Sequence, residues 1–393
     1  MEKKGILNSL VFRLILGVIV GLLIGLYTNE KVILITETLK YIMGQIISFA
    51  VPLIILGFVA PAIVQMKSNA SKMLGTMLTL AYLSSIGAAF MSMFAGYAII
   101  PKLNIINSVE GLKELPEIIF KLDIPQPFSV MTALVLALTI GLATIWSKSE
   151  LTEKLLNEFN NIMMEIVNRI IIPILPFFIA TTFAGLAFEG GITKQLPVFL
   201  KVILIVLIGH FIWLAVLYAL GGMISGKNPW EVLKHYGPAY FTAVGTMSSA
   251  ATLPVSISCA KKSTVLDERI VDFAIPLGAT VHLCGSVLTE VFFVMTVSKI
   301  LYGHIPPMGT MILFIFLLGI FAIGAPGVPG GTVMASLGII ISILGFDANG
   351  TALMLTIFAL QDSFGTACNV TGDGALALML NGIFKKTLEK SSS

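Results

Sequence analysis

Apolar positions along this chain come in long blocks rather than in the short alternations of a soluble domain. Six blocks, near residues 10–28, 42–65, 75–100, 130–147, 162–188 and 196–224, are each long enough to predict a membrane-crossing helix, which needs about 20 residues. The longest polar interruption is 101–129, which carries PKLNI, ELPE and DIPQP and predicts a loop or short interfacial elements. From 230 to 390 the pattern changes. There SSAATLPVS (248–256), PLGATVHLCGS (276–286), GAPGVPGGTVMAS (324–336) and DSFGTACNVTGDG (362–374) interrupt apolar runs with small, polar and proline residues. Backbone released from a helix inside hydrocarbon is costly unless protein or a water-filled cavity receives it. Four such breaks in one region therefore point to one shared site, and paired broken segments are the best sequence pointer to a transporter's binding site.

Composition supports the membrane reading. The chain has 393 residues, 56% hydrophobic and 11% charged, against about 25% charged in a soluble domain. A net charge of +3 without a basic tract gives no support for nucleic acid as a partner. Cys259, Cys284 and Cys368 are too few and too scattered for a disulfide framework, and without C-x-x-C spacing they do not read as a metal site. The opening MEKKGILNSLVFRLILGVIVGLLIGLY is interrupted by Arg13, is too long for a signal-peptide core and lacks a small-x-small site; it predicts a first span that stays in the protein. Basic residues cluster at Lys3 and Lys4, Lys67 and Lys72, Lys261, Lys262 and Arg269, and Lys385, Lys386 and Lys390. All fall on one side of a membrane if two broken segments are re-entrant hairpins. That predicts an all-α integral membrane protein of about eight spans plus two hairpins, multi-pass, with both termini cytoplasmic.

Individual motifs narrow the chemistry. In GVPGG (327–331) the glycines allow positive φ or close backbone approach and Pro329 stops a helix, although a plain tight turn has the same signature. Serines in SSAAT (248–252) suit a helix N-terminus, which attracts a carboxylate. Asp362, Thr366, Asn369 and Asp373 are spaced 4, 3 and 4, placing them on one helix face. A structural polar seam is the plain alternative. With no Lys or Arg nearby in sequence, however, two membrane-embedded aspartates call for a cation: Na⁺, H⁺ or an ammonium group.

NVTGD (369–373) with Asp362 upstream, SSAATLPVS, PLGATVHLCGS, GVPGG and VPLII (51–55) occur in the order found in the dicarboxylate/amino acid:cation symporters. The chain resembles that family, which includes glutamate transporters and neutral amino-acid exchangers, over nearly its whole length. The resemblance implies eight spans, two re-entrant hairpins, a homotrimer in the cell membrane and an elevator mechanism. Scaffold spans would occupy 1–70 and 130–190, with an extracellular loop at 101–129. Moving elements would be span 3 (71–100), span 6 (191–228), hairpin one (229–265), span 7 (266–302), hairpin two as gate (303–346), and span 8 with the tail (347–393). It further implies that Ser249, helped by Ser248, receives a substrate α-carboxylate, and that Gly327, Val328 and Pro329 form the gate tip. Asp362 would bind the α-ammonium, with Asn369 and Thr366 beside it. One Na⁺ would lie at Asp373 with carbonyls of Gly278, His282 and Asn369, and a second near Thr280 and Gly324–Pro326.

Departures from the family pattern refine this. Where acidic-substrate members keep an arginine, this chain has Met247 and Gly365. A buried substrate carboxylate without its partner is costly, so a small neutral L-amino acid such as Ala, Ser or Thr is expected, with Gly365 leaving volume for it. Cys284 and Phe358 replace two aspartates associated with a third Na⁺, although Ser84 and Ser85 keep its hydroxyls; one or two Na⁺ are expected. Glu290 stands where proton-coupled members carry a proton, making H⁺ a candidate second ion, with a plain hydrogen-bonding Glu as the alternative. His282 is a further titratable group. Glu165 and Arg169 predict an i,i+4 pair, and His210 and Trp213 predict span packing. The alternatives are larger neutral amino acids, dicarboxylates with proton coupling, and, in another class, an intramembrane hydrolase using Ser249 and His282. The last lacks a G-x-S-x-G elbow, and the chain is expected not to be an enzyme.

Overall fold

A computed structural model describes residues 10–68, 72–103, 115–128, 130–190, 192–325, 327 and 329–384. Val328 and Pro326 of the expected gate and second cation site lie outside them. Among the described residues the regular structure is all helix, with no strands. In chain order the helices are α1 (Leu10–Tyr27), α2 (Glu30–Ser68), α3 (Lys72–Ile99), α4 (Val130–Ser147), α5 (Glu150–Ile166), α6 (Ile172–Phe188) and α7 (Ile192–Ser225). After the short α8 (Trp230–Leu233) come α9 (Gly237–Thr246), α10 (Ser249–Ala260), α11 (Glu268–Val281), α12 (Cys284–Tyr302), α13 (Met308–Gly324), α14 (Gly331–Leu344) and α15 (Ala348–Ile383). Among the described residues five helical stretches are long and apolar enough to cross a membrane: Glu30–Pro61, Lys72–Lys102, Glu150–Gly185, Val198–Ser225 and Glu268–Tyr302.

Two predicted spans are longer than their apolar blocks. The second extends back to Glu30 because Glu37, Lys40, Tyr41 and Gln45, polar in sequence, remain helical and face other parts of the chain. The fifth begins at Glu150 as the amphipathic α5 and runs through a π turn, Val167–Ile171, into α6. Pro173 and Pro176 lack N–H groups for the preceding turn, and a local π adjustment is one way a helix absorbs that loss. Pro61 of α2 likewise leaves the Gly57 carbonyl without its helical donor. Asn160 of α5 supplies one, its Nδ2 lying 2.9 Å from the Gly57 oxygen.

Close approach of backbones sets the packing of the first half. Gly17, Gly21 and Gly25 form a ridge on α1; a Cβ at each would fall 2.5, 2.2 and 2.3 Å from the carbonyl oxygens of Pro176, Ala180 and Ala184 on α6. No other residue fits there, which is the small-residue packing used between helices in lipid. α2 packs on α4, α5 and α6, while α15 is surrounded by α7, α9, α11 and α12, and α12 also packs on α3. Every residue of α12 from Cys284 to Ser298 is buried. Between these two groups of helices, α13 and α14 touch α2, α14 touches α4, and α15 touches α1 and α6.

Of the four predicted breaks, three are present: Met247–Ser248 between α9 and α10, His282–Leu283 between α11 and α12, and Ala325–Gly330 between α13 and α14. The fourth is not. DSFGTACNVTGDG is helical throughout, inside α15. Its glycines serve close approach rather than turns: a Cβ on Gly372 would lie 2.9 Å from the His282 ring, and one on Gly374 2.6 Å from the Tyr218 hydroxyl.

Replacing Asn160 by Leu should leave the Gly57 carbonyl unpaired and cost about 1–3 kcal/mol. Thermal unfolding of the purified protein in detergent should show a lower Tm than the wild type; an unchanged Tm would show that another group takes over the carbonyl.

Candidate functional site

The three breaks and the middle of α15 meet. Gly245–Thr246 lead into Met247, which has left-handed backbone (φ 52°), and Ser248 then caps α10 by accepting the Ala251 N–H. The Ser248 hydroxyl also donates to the Gly327 carbonyl at 2.6 Å, joining the tips of the α9–α10 and α13–α14 hairpins. A Cβ on Gly327 would sit 3.0 Å from the Ala279 carbonyl, so the second tip also lies against the end of α11. Ser249 follows at the N-terminus of α10, only 2% exposed, and its hydroxyl has no hydrogen-bond partner among the described residues. Pro329 lies at the second tip, half-buried.

Asp362 lies beneath both tips. Its carboxylate accepts the Gly330 N–H at 2.6 Å. It is 3% exposed, and among the described residues no Lys or Arg pairs with it. Gly365 faces α12: a Cβ there would meet Ser286 at 3.3 Å. The free volume expected at Gly365 is therefore absent, because α12 has closed onto the glycine.

Asn369 is occupied by the break in α11–α12. Its Oδ1 accepts the N–H groups of Gly285 at 2.7 Å and Ser286 at 3.2 Å, and its Nδ2 donates to the Ser286 hydroxyl at 2.9 Å. A side chain of α15 thus caps the N-terminus of α12. One turn further along, Asp373 accepts from His282 Nδ1 at 2.9 Å, and His282 Nε2 lies 2.8 Å from the Ser84 hydroxyl. With its Nδ1–H given to Asp373, a neutral imidazole accepts at Nε2 from Ser84. Asp373 also leans on Gly278, whose Cβ position is 2.6 Å from the carboxylate. Gly278, His282, Asn369 and Asp373 are therefore neighbours, whereas Thr280 is exposed and its hydroxyl turns back to the Leu277 carbonyl.

Other expected residues fall close by. Glu290, fully buried on α12, accepts the hydroxyl of Ser336 on α14, and its second oxygen has no partner. Cys284 contacts Cys368, His282 and Ser84, and the Ser85 hydroxyl is buried without a partner. Among the described residues no group of three His, Cys, Asp or Glu side chains is arranged to hold a metal ion. Phe358 is wholly buried, as is His210, whose Nε2 lies 3.1 Å from the Gly285 carbonyl and 2.9 Å from Thr289. Trp213 packs over Gly87, and Glu165 pairs with Arg169 on an exposed surface. Sequence reasoning had no signal for Ser336 or for the Gly330 amide; both are identified only by what the hairpin brings opposite α12 and α15.

Comparison with known proteins fits this arrangement. The sequence profile of the sodium:dicarboxylate symporter family matches residues 10–383. Excitatory amino acid transporter 2 of Mus musculus is 28% identical over 309 residues, 75% of this chain and 52% of that protein. Excitatory amino acid transporter 3 of Mus musculus is 30% identical over 264 residues, 66% of this chain and 49% of that protein. A putative sodium-dependent excitatory amino acid transporter, glt-4, of Caenorhabditis elegans is 29% identical over 215 residues, 54% and 42% of the two chains. The chain spans about half the length of the curated relatives it matches. With the family profile covering nearly the whole chain, the chain belongs to the sodium:dicarboxylate symporter family.

Proposed function

We propose that this protein is a secondary active transporter that couples Na⁺ to the movement of a small neutral L-amino acid across the cell membrane. The observation that carries the reading is Asp362: one buried carboxylate between two hairpin tips, with Met247 and Gly365 where a second charge partner would stand. Such a site offers a charge to an α-ammonium and none to a side-chain carboxylate. The relatives' names refer to excitatory amino acids; the different substrate assigned to this chain rests on Met247 and Gly365.

In the proposed cycle the substrate ammonium takes the place of the Gly330 N–H on Asp362. Its α-carboxylate meets the N-terminus of α10 at Ser249, where unpaired N–H groups favour an anion. Thr366 and Asn369 line the rest. Asp373 with carbonyls of Gly278, His282 and Asn369 takes one Na⁺, an oxygen set that suits a hard cation. A second is assigned to backbone near Thr280 and Gly324–Pro326. Because His282 already links Ser84 to Asp373, and Cys284 offers sulfur, a poor ligand for Na⁺, the coupling assigned is one or two Na⁺ per substrate. Glu290 is assigned as carrier of a co-transported proton. The α13–α14 hairpin serves as gate. The helices of 1–70 and 130–190 form the scaffold of a homotrimer, against which the rest moves as an elevator, with both termini cytoplasmic.

A hydrolase reading gains nothing from the geometry. His282 pairs with Ser84, not with Ser249. Ser84 lies mid-helix in α3, where neighbouring N–H groups are spent within the helix and cannot form an oxyanion hole.

Three outcomes test the proposal. In competition against labelled alanine, Ala, Ser and Thr should displace the label, and aspartate and glutamate should not; tighter binding of an acidic amino acid at neutral pH would reverse the substrate assignment. Asp362→Ala should abolish measurable amino-acid binding, since removing one partner of a desolvated charge pair costs about 2–5 kcal/mol; near-normal affinity would remove Asp362 from the site. Reversal potentials in proteoliposomes, with Na⁺ and pH gradients varied separately, should give fewer than three Na⁺ per substrate. They should also show a pH-gradient dependence that Glu290→Gln abolishes; indifference to that gradient in the wild type would leave Glu290 a structural hydrogen-bonding group.

A further inference from the structure

His282 stands at the break between α11 and α12 with no exposed surface, and its ring joins two other helices. Nδ1 lies 2.9 Å from Asp373 Oδ1 on α15, and Nε2 lies 2.8 Å from Ser84 Oγ on α3. Between the two nitrogens the Cε1 edge faces Gly372, where a Cβ would fall 2.9 Å away. A side chain at 372 would push the ring off its partners. Cys284 Sγ, 3.4 Å from the same Cβ position, closes in beside it. The place is shaped to this ring, and the ring links α3 to α15 through the break.

Without the ring, the groups around it would suit a cation. Asp373 would present Oδ1, Ser84 its hydroxyl, and the neighbouring Ser85, also buried, has a hydroxyl with no partner. These are oxygen donors, the kind a hard cation takes. Ser84 Oγ and Asp373 Oδ1 are separated by two hydrogen bonds and the width of an imidazole, the span of a cation on the carboxylate with one water beyond it. Left empty, buried polar groups of this kind are costly. The imidazole serves them in place of an ion, giving its Nδ1–H to the carboxylate and accepting from the hydroxyl at Nε2. A tethered side chain differs from an ion in one respect. An ion fills a site only as far as its concentration exceeds its Kd, whereas the side chain is always there. It holds the break equally well with and without Na⁺, and it returns no energy from a Na⁺ gradient.

We propose that His282 is a built-in occupant of a cation position: its imidazole fills the space between Asp373 and Ser84 and so sets the number of Na⁺ ions the protein binds at one fewer than these oxygens would otherwise hold. His282 is thus a positioning residue that acts through Asp373, engaging one carboxylate oxygen and leaving the other to the Na⁺ assigned there. The consequence for coupling rests on the transport reading: one ion fewer accompanies each substrate.

The test uses the full-length protein in detergent at one fixed pH, with Na⁺ as the probe. Thermal unfolding is followed across mixtures of sodium and choline chloride at constant ionic strength. A ligand bound only by the folded state raises stability with its concentration, so the rise of Tm with log[Na⁺] steepens with each ion bound. His282→Ala removes the ring. It should unfold below the wild type without Na⁺ and recover along a slope steeper by the equivalent of one ion per chain. His282→Asn is shorter and brings an oxygen of its own; it should show the same gain, and it decides the matter where the alanine variant does not fold. His282→Leu fills much of the same space with carbon. It should be destabilised along the wild-type slope, because no ion can enter. Adding Ser84→Ala to His282→Ala should remove the extra ion. A purely structural His282 would lower Tm in all three single variants and leave every slope alone. Wild-type slopes in His282→Ala and His282→Asn, or a steeper one in His282→Leu, would therefore overturn the proposal. In proteoliposomes, reversal potentials should give one more Na⁺ per alanine in His282→Asn than in the wild type. An unchanged ratio beside a steeper stability slope would overturn the role in coupling. Absence of alanine uptake by the wild type would instead count against the transport reading, and the stability slopes would still decide what His282 occupies.

Discussion

Asn369 of α15 accepts the Gly285 and Ser286 N–H groups in the first turn of α12, and the break at His282–Leu283 depends on it. Inside hydrocarbon a helix cannot simply stop, because its unpaired amides find no water. Several interruptions among the described residues are met by a side chain from another segment. Asn160 serves the carbonyl that Pro61 orphans in α2, and Ser248 and Asp362 serve the Gly327 carbonyl and Gly330 amide at the second hairpin tip. These are also the contacts that place the site. The groups that make irregular backbone tolerable are the groups that bring the hairpins, α11–α12 and α15 to one point, so stability and function share the same few polar residues.

The second consequence is electrostatic. Asp362 is buried on α15 with a backbone amide on its carboxylate, whereas Asp373, on the same face, is bonded to the imidazole of His282, itself a basic group. Desolvating a carboxylate costs several kcal/mol, and neutral donors repay only part of it. A cation that meets Asp362 therefore gains more than it would from a site already holding a basic residue. The absence of arginine has two effects on the proposed reading: it removes recognition of an acidic side chain and leaves Asp362 in need of a cation.

Much of this was legible as spacing. The 4, 3, 4 pattern from Asp362 to Asp373 gave one face of one helix, and the serines before an apolar run gave the cap at Ser248, because both follow from local geometry. The error in DSFGTACNVTGDG came from the same local view. Glycine reads as a breaker in isolation, but Gly372 and Gly374 are required by the His282 and Tyr218 side chains that press on them, and those partners come from other helices. The extended start of α2 was hidden for a related reason: Glu37, Lys40 and Gln45 look unsuited to a span until the loop and Glu189 that receive them are in place. No local pattern could show that segment 115–124 is fastened to α2 about 80 residues earlier in the chain.

The contacts of Asp362 bear on how binding and closure are linked. Its carboxylate cannot give a substrate ammonium its full strength while it also accepts the Gly330 N–H, so on the proposed reading the two compete for the same oxygens. Gly330 itself has left-handed backbone (φ 71°) and begins α14; releasing its amide frees the start of that helix, whereas the Ser248–Gly327 bond on the other side of the tip has no such competitor. Substrate entry therefore loosens one of two anchors of the second hairpin and must replace it with contacts of its own. A ligand shifts a conformational equilibrium only by the difference in how it binds the two states. A molecule with an ammonium but no α-carboxylate would break the Gly330 anchor and offer nothing to α10, leaving the tip less well held than before. An amino acid supplies both ends. On this geometry, discrimination between an amine and an amino acid lies in closure of the hairpin as much as in affinity for Asp362.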